Sequence, residues 1–344
     1  MELPLVSFLV PTLNSARTLG ECLEAIRAQD WPAEKAEIVV ADAGSGDGSV
    51  EIARKAGARV VPNALRTGEA GKAAAAKEAR GDVFALIDSD NVLPDPGWLR
   101  RMVSPLEDAS IAASEPLRYD ARPGDPPLVR YFARLGMNDP FCLFVGNYDR
   151  QCAVTGRWTQ LPVEAQDMGD YLAVTLRSGT PFPTIGANGF VIRRSALQGA
   201  KWAPYWFDVD ILRDVAANSP GGTVRVAKVK TGIVHLYCAT MEDFRRKQRR
   251  RVMDYLAFRP ERSGASDGAH PPLLAAVAKF AVSSILGFPL ALQARRGNRR
   301  SPDPEAWALH GRACRETLKI YAAAAVKKAL GAKIGPADRA AWRQ

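Results

Sequence analysis

The stretch DVFALIDSD, residues 82–90, decides the fold of this chain. Its apolar residues 84–87 run directly into Asp88, Ser89 and Asp90. A short apolar run without alternation is typical of a strand that is buried on both faces. Residues two apart on an extended segment point to the same side, so the carboxylates of Asp88 and Asp90 repel each other unless a cation lies beside them. The stretch therefore predicts a buried strand that ends at a cation-binding site.

The residues before this stretch alternate between apolar runs and helical patterns. The runs LVSFLVPT (5–12), AEIVVADAG (36–44) and ARVVPN (58–63) predict three further strands, and helical patterns occupy residues 15–29 and 69–80. This order predicts an α/β fold with a mostly parallel sheet and helices on both faces. Ligands of such sheets bind beyond the carboxyl ends of the strands, so the Asp-x-Asp pair belongs to a predicted binding edge.

Composition limits the classes of protein that fit. The 344 residues are 47% hydrophobic and 24% charged, which is typical of a folded globular protein. The net charge of +10 predicts an anionic partner, such as nucleic acid, a phosphorylated substrate or an acidic membrane surface. Five cysteines without a CxxC pair favour reduced thiols in a cytoplasmic protein. The opening residues MELPLVSFLVPT lack a basic segment, so we expect a strand there and no signal peptide.

Four motifs resemble the N-terminal half of nucleotide-sugar glycosyltransferases of the GT-A type, family 2. They are VPTLNSA (10–16), VVADAGSGDGS (39–49), the Gly71-Lys72 pair at a helix start, and the Asp-x-Asp at residues 88–90. The resemblance implies a GT-A, Rossmann-like fold. The implied domain is a glycosyltransferase domain at 1–258, with a nucleotide-binding half at 1–95 and an acceptor half at 96–258. The C-terminal ninety or so residues do not resemble the family, and their composition predicts a helical, membrane-associating region at 259–344.

The resemblance implies a donor site at the ends of the first strands. Asp42 would accept a hydrogen bond from the nucleobase imide, which favours uracil and hence a UDP-sugar. Ala43 stands where the family has a second Asp, so Asp42 would act alone. The donor-binding residues implied in this way are Pro11, Thr12, Asn14, Asp42, Lys72, Asp88, Ser89, Asp90, Arg249 and Arg250.

The resemblance also implies a metal ion and a catalytic base. Asp90 would bind Mn²⁺ or Mg²⁺, and His235, which ends the apolar run TGIVH, would complete the metal site or contact the diphosphate. Oxygen ligands together with substrate phosphates suit either ion. The family's base lies in an acidic motif behind a Gly-rich turn, which corresponds to FDVD in this sequence. Asp208 is therefore the predicted catalytic base and Asp210 the alternative, with one of the two capping the helix that follows.

The C-terminal part of the sequence predicts contact with a membrane. The stretch FRRKQRRR (244–251) is strongly basic, and residues 273–292 are apolar except for Lys279, Ser283 and Ser284. We expect an interfacial or re-entrant hairpin, peripheral or monotopic at the cytoplasmic face of the cell membrane, with the arginines that follow it on anionic headgroups. A membrane-spanning helix and a pair of core helices are the alternatives.

Together these features predict an inverting, metal-dependent glycosyltransferase that uses a nucleotide-sugar donor. Its acceptor would be a hydroxyl or phosphate of a lipid-linked (polyprenyl) molecule or of a glycan. The alternatives are a soluble glycosyltransferase that acts on a polysaccharide or small acceptor, and a nucleotidyltransferase. A nucleotidyltransferase would need a Gly-rich phosphate loop after the first strand, which VPTLNSART is not. We expect no nucleic-acid partner, because RRKQRRR has no stacking aromatics between its cations.

Overall fold

A computed structural model describes residues 2–258 and 273–331 of the chain, and these residues form two compact units. The first unit comprises residues 2–117 and 162–235; the second comprises residues 118–161, 236–258 and 273–331. The chain crosses between the two units more than once, and the predicted domain boundary at residue 258 stays a prediction. The polar linker that the sequence suggests at residues 260–272 lies outside the described residues.

A ten-stranded sheet forms the first unit. Its strands are β1 (Val6–Thr12), β2 (Ala36–Asp42), β3 (Arg59–Pro62), β4 (Val83–Leu86), β5 (Asn91–Val92), β6 (Ile111–Asp120), β7 (Glu164–Asp167), β8 (Tyr171–Arg177), β9 (Phe190–Arg193) and β10 (Thr223–His235). Their spatial order is β3-β2-β1-β4-β9-β6-β10-β8-β7, and β5 pairs with β10.

The strands predicted from the sequence, β1 to β4, form a parallel half of the sheet. Strand β1 pairs in parallel with β2 and with β4, and β2 pairs in parallel with β3. In the other half, β9 runs antiparallel to β4 and β6, and β8 runs antiparallel to β7 and β10. The predicted α/β class is confirmed. The carboxyl ends of β1, β2 and β4 meet at one edge, which gathers the polar residues that follow each strand.

Twelve α-helices occur among the described residues. They are α1 (Ala16–Arg27), α2 (Ser49–Lys55), α3 (Gly68–Glu78), α4 (Trp98–Val103), α5 (Pro127–Leu135), α6 (Cys142–Val145), α7 (Asp208–Asn218), α8 (Met241–Phe258), α9 (Leu273–Leu286), α10 (Phe288–Arg300), α11 (Pro304–Trp307) and α12 (His310–Ala329). Helix α1 forms as predicted, because Leu19, Leu23 and Ile26 recur at helical spacing and are all buried.

Helix α3 packs unusually close to the end of β1. Its N-terminus is capped by Thr67, whose hydroxyl accepts a hydrogen bond from Ala70 N at 2.9 Å. One turn later, a Cβ on Gly71 would lie only 2.7 Å from Pro11 Cβ. Glycine therefore permits a contact between helix and strand that no other residue allows without a shift, and this contact carries the next residue, Lys72, to the carboxyl edge of the sheet.

Helices α5, α6 and α8–α12 belong to the second unit. Phe132, Phe244 and Trp307 are members of one buried apolar cluster in this unit. Helix α8 packs against α12, and Arg245 Nε donates a hydrogen bond to Glu316 Oε2 at 2.7 Å. This packing places α8 in the same unit as the C-terminal helices.

Helices α9 and α10 contain the apolar segment of the sequence. They meet at Gly287, which has a φ of +75°, and their axes bend by 92°. No single helix in the described part of the chain is long and apolar enough to cross a membrane; this bent pair together has the length and composition of a broken span or re-entrant loop. Membrane association stays a prediction.

The close approach of α3 to β1 can be tested by replacing Gly71 with alanine. Because the added Cβ would lie 2.7 Å from Pro11 Cβ and 2.9 Å from Asn63 Nδ2, we expect Gly71→Ala to lower the free energy of unfolding by about 1–3 kcal/mol. Urea denaturation followed by circular dichroism measures the change.

Gly68→Ala is the matched control in the same helix, since a Cβ there would meet no atom within 4 Å. It should leave the free energy of unfolding unchanged or raise it slightly through better helix propensity. Equal effects of the two substitutions would contradict the close contact.

Candidate active site

The ends of β1 and β2 form the first part of the site. Thr12 and Asp42 are register partners at the last positions of these strands. The two loops that follow are joined, because Asn14 N donates a hydrogen bond to Ser45 Oγ at 2.9 Å and Asn14 Oδ1 accepts one from Gly46 N at 3.0 Å. Thr12 Oγ1 is buried and finds no hydrogen-bond partner within the described residues. A buried hydroxyl of this kind at a strand end suits contact with a ligand.

The carboxylate of Asp42 accepts hydrogen bonds from the loop that follows it. Its Oδ2 accepts hydrogen bonds from Gly44 N at 2.8 Å and Ser45 N at 3.0 Å, and its Oδ1 accepts one from Ser45 Oγ at 2.5 Å. A carboxylate offers about four lone-pair positions, so room remains for one further donor. The predicted hydrogen bond from a nucleobase imide to Asp42 therefore stays a prediction, as does the preference for uracil.

The Asp-x-Asp segment lies beside the end of β10. Asp90 Oδ1 is 3.3 Å from His235 Nε2, so the structure brings together the two residues that the sequence predicted as metal ligands. Ser89 Oγ donates to Ser15 Oγ at 2.9 Å, which fixes the segment against the start of α1. Asn91 Oδ1 accepts from Asp88 N at 3.0 Å and turns the chain back after β4.

Lys72 and Asp208 form an ion pair at this edge. Lys72 Nζ donates to both carboxylate oxygens of Asp208, at 2.9 and 3.0 Å, and lies 3.7 Å from Asp88 Oδ1. Only 4% of the Lys72 side chain and 23% of the Asp208 side chain are exposed. The sequence placed these residues in separate roles, on the donor and as the base, and did not predict their contact.

The surroundings shift the pKa values of both partners. Burial raises the pKa of the Asp208 carboxyl to about 7, although the Lys72 ammonium opposes this shift. Burial by itself would lower the pKa of the Lys72 ammonium, but the carboxylates of Asp208, Asp88 and Glu69 outweigh it and raise that pKa above its ordinary value. A carboxyl with a pKa near 7 is suited to take a proton at neutral pH.

The structure distinguishes Asp208 from the alternative base, Asp210. Asp208 is the first residue of α7 and reaches the carboxyl edge, whereas Asp210 is 3% exposed and accepts a hydrogen bond from Arg213 NH1 at 3.2 Å, one turn further along the same helix. The guanidinium of Arg213 in turn lies over the ring of Phe182. Asp210 therefore takes part in internal packing, and Asp208 is the better placed of the two.

The predicted donor-binding arginines lie in the second unit. Arg249 and Arg250 are on α8, where Arg249 is exposed and Arg250 is half-buried. Their role at the donor stays a prediction. In the same unit, Lys247 and Arg251 lie over the ring of Tyr237, at 4.8 and 5.6 Å from its centroid, so part of the basic stretch packs on an aromatic ring.

Asn91 and Asn188 are site residues that the sequence analysis missed. Asn91 Nδ2 donates to Asn188 Oδ1 at 3.0 Å, and both side chains are buried. The bond ties the Asp-x-Asp turn to the Gly-rich segment before β9. Asn188 has a φ of +50°, and its position between Ala187 and Gly189 in GANGF was the available signal, because asparagine tolerates this backbone region better than most residues.

Comparisons with known proteins concern the family and the fold. Residues 7–159 match Glycosyl transferase family 2. Over 115 residues the chain is 30% identical to glycosyltransferase AglE of Haloferax volcanii, and the alignment covers 32% of this chain and 38% of AglE. The fold is similar to that of the mannosyltransferase PcManGT from Pyrobaculum calidifontis, solved in complex with GDP-Man and Mn²⁺. That similarity has a TM-score of 0.53 at 18% identity and covers 96% of this chain and 88% of PcManGT.

The sheet and its carboxyl edge define a glycosyltransferase fold of the GT-A type. Residues 7–159 match the model of Glycosyl transferase family 2, which is the family that the sequence motifs predicted. The chain spans little more than a third of the length of its curated relative AglE, 38%.

The pKa of Asp208 can be measured directly by ¹³C NMR of the aspartate carboxyl carbons. We expect one resonance that titrates near pH 7 and is absent from the Asp208→Asn protein. Because the Lys72 ammonium favours the charged carboxylate, Lys72→Met should move this titration to higher pH. If every aspartate titrated below about pH 5, the ordinary range for the residue type, burial of Asp208 would not control its pKa.

Proposed function

We propose that the chain is an inverting glycosyltransferase that moves a sugar from a nucleotide-sugar to a hydroxyl or phosphate of its acceptor. The observation that carries this proposal is the meeting of Lys72, Asp88 and Asp208 at the carboxyl edge of a family 2 domain. Transfer to a hydroxyl with inversion needs a base on the acceptor side, and transfer to either acceptor needs stabilisation of charge on the leaving diphosphate. Both requirements have candidates among these side chains.

Asp208 is the base in this proposal. Its raised pKa lets it accept the proton of the acceptor group as that group attacks the sugar. Lys72 holds the Asp208 carboxylate in place through two hydrogen bonds and keeps Asp88 within 3.7 Å. Asp88 then lies on the donor side of the pair, where it would contact the ribose or the sugar.

Asp90 and His235 would hold the divalent cation. The carboxylate oxygen and the imidazole nitrogen lie 3.3 Å apart, and both are suitable ligands for Mn²⁺. Within the described residues, no group of three or more His, Cys, Asp and Glu is placed to hold a metal ion, so the diphosphate oxygens of the donor would complete the shell. When bound, the ion supplies Lewis-acid stabilisation of the leaving diphosphate. The similar fold of PcManGT was solved with Mn²⁺ and GDP-Man.

We further propose that the acceptor is lipid-linked and that the protein works at the cytoplasmic membrane face. The exposed surface of α9 and α10 supports this. Leu274, Ile285 and Phe288 have exposed fractions of 83%, 75% and 68%, whereas the polar Ser283 and Ser284 are almost completely buried. Phe280 and Leu290 are buried as well, so these helices are apolar on their packed side and also on part of their exposed side. Exposed apolar side chains in such density favour contact with lipid.

The charge of the same helices favours an anionic lipid surface over a protein partner. Helices α9 and α10 contain no acidic residue, and α10 ends with four arginines at positions 295, 296, 299 and 300. Each cation near an anionic membrane surface contributes about 1 kcal/mol to binding. Association of two copies through this face would bring like charges together instead, so lipid is the occupant that we propose.

The catalytic role is tested with Asp208→Asn. We expect the variant to bind the donor as the unaltered protein does but to turn it over roughly 10²–10⁴-fold more slowly, which is the usual contribution of a positioned base. The assay measures sugar transfer from UDP- and GDP-sugars with Mn²⁺ to a hydroxyl of a lipid-linked glycan, because a phosphate acceptor is already ionised at neutral pH and has no proton for the base to remove. Donor binding is measured by calorimetry. Nucleotide preference is read from the same screen.

Asp210→Asn provides the comparison, since Asp210 packs against Arg213. It should lower thermal stability more than turnover. A large loss of turnover in Asp210→Asn but not in Asp208→Asn would reverse the assignment of the base. Full transfer activity in the presence of EDTA would contradict the proposed requirement for a divalent metal ion.

Membrane contact is tested with the double substitution Ile285→Glu and Phe288→Glu in the full chain. We expect the unaltered protein to co-sediment with vesicles of phosphatidylcholine and phosphatidylglycerol, and the variant to remain largely in the supernatant. The two side chains would otherwise bury apolar surface worth on the order of 25 cal/mol per Å². High salt should weaken the binding without abolishing it, because salt screens the charges but not the apolar contact.

Met168→Glu is the matched control, because Met168 is an exposed apolar residue, 45% accessible, in the first unit. It should leave sedimentation unchanged. Vesicle binding by the double variant that equals that of the unaltered protein would contradict the proposed membrane contact. So would a change in the oligomeric state of the variant without any change in vesicle binding.

A further inference from the structure

The first unit contains a fully buried ion pair that has no part in the site described so far. Lys228 Nζ on β10 lies 2.5 Å from Glu115 Oε2 on β6, and both side chains have 0% exposure. Burying two charges costs several kcal/mol per ion before their attraction is counted. Apolar residues would fill this position in a sheet more simply, so the pair calls for a reason other than stability.

The second oxygen of Glu115 supplies that reason. Glu115 Oε1 accepts a hydrogen bond from Gly186 N at 2.9 Å, and this bond is buried. Gly186 belongs to the segment between β8 and β9, and Asn91 holds the same segment through Asn188. The Glu115 carboxylate therefore links the loop that contains Gly186 to the buried Lys228 on β10.

Gly186 is in direct contact with the start of α7. Its φ is +140°, and a Cβ at this position would lie 2.7 Å from the carbonyl carbon of Asp208. The backbone of Asp208 is thus in close contact with Gly186. Its carboxylate accepts a hydrogen bond from Lys72 Nζ, with 2.9 Å between Nζ and Oδ1. Asp208 is held in two ways: Lys72 binds its carboxylate, and Gly186 contacts its backbone.

We propose that Glu115 is a positioning residue for Asp208: it holds the Gly186 backbone, with Lys228 as its counter-charge, so that the first residue of α7 is kept at the carboxyl edge. This inference rests on the proposed function, in which Asp208 is the base. A carboxylate acceptor makes a stronger hydrogen bond to an N–H than a neutral one does. A base that moves by about 1 Å can lose about 10²-fold in rate, so a buried charge at this point has a functional use.

Two double variants separate the hydrogen bond to Gly186 from the ion pair. Glu115→Gln with Lys228→Met removes both charges but keeps a side-chain oxygen that can accept from Gly186 N. Glu115→Met with Lys228→Met removes both charges and the acceptor. Neither leaves one charge buried alone, which would endanger folding. Thermal unfolding of both proteins shows that they fold, and steady-state transfer kinetics compare them.

We expect the variant with two methionines to have a kcat about 10-fold or more below that of the glutamine variant, with the same KM for the donor. The glutamine variant should lie between it and the unaltered protein, because its neutral oxygen accepts a weaker hydrogen bond from Gly186 N than the carboxylate does. A purely structural role for the pair predicts that both variants lose stability together and keep similar kcat values, and that result would overturn the inference.

Hydrogen exchange provides a readout that does not depend on turnover. Amides of residues 183–190 and of the start of α7 should exchange faster in the variant with two methionines than in the glutamine variant. Equal exchange rates would overturn the inference whether or not transfer is seen. If the unaltered protein transfers no sugar from any donor, the proposed function fails, and the exchange comparison still decides whether Glu115 holds the segment against Asp208.

Discussion

The ion pair between Lys72 and Asp208 is the interaction on which the rest of the site depends. It joins two helices whose paired residues lie 136 positions apart in sequence. Each partner is largely removed from water, so loss of either would leave a poorly solvated charge. The close fit of Gly71 against β1 brings Lys72 to this place. The contact between the backbones of Gly186 and Asp208 helps to place Asp208 beside Lys72.

Crowding of carboxylates explains why the edge needs cations. Asp88, Asp90 and Asp208 follow or face the end of β4, and their mutual repulsion raises the free energy of the folded protein. Lys72 compensates for part of this charge through Asp208 and Asp88. His235 approaches Asp90 from the end of β10. A divalent cation with a diphosphate-sugar is the occupant that would compensate for the remainder, which answers why a buried strand ends in two acids.

The second unit follows a different physical rule. In the first unit, apolar strands are buried and polar residues gather at one edge. On α9 and α10, Ser284 is buried together with Phe280 and Leu290, while Ile285 and Phe288 are exposed. Such a surface is unfavourable in water, since each exposed apolar side chain forgoes the gain from burial. The arginines at the end of α10 add a positive charge without any acid nearby on these two helices.

The sequence by itself determined the parallel half of the sheet and the polar ends of its strands. Apolar runs that stop at Asp42 and Asp88 are local signals, because a strand and the residue that follows it are set by neighbouring positions in the chain. Asp208 and Asp210 lie two positions apart, and no local signal separates them; only the tertiary contact of Asp208 with Lys72, 136 positions away, favours Asp208 as the base that we propose. The Glu115 contacts with Lys228 and Gly186 join residues 113 and 71 positions apart, and no local pattern encodes such pairings, because their energy exists only once the sheet has brought the strands together.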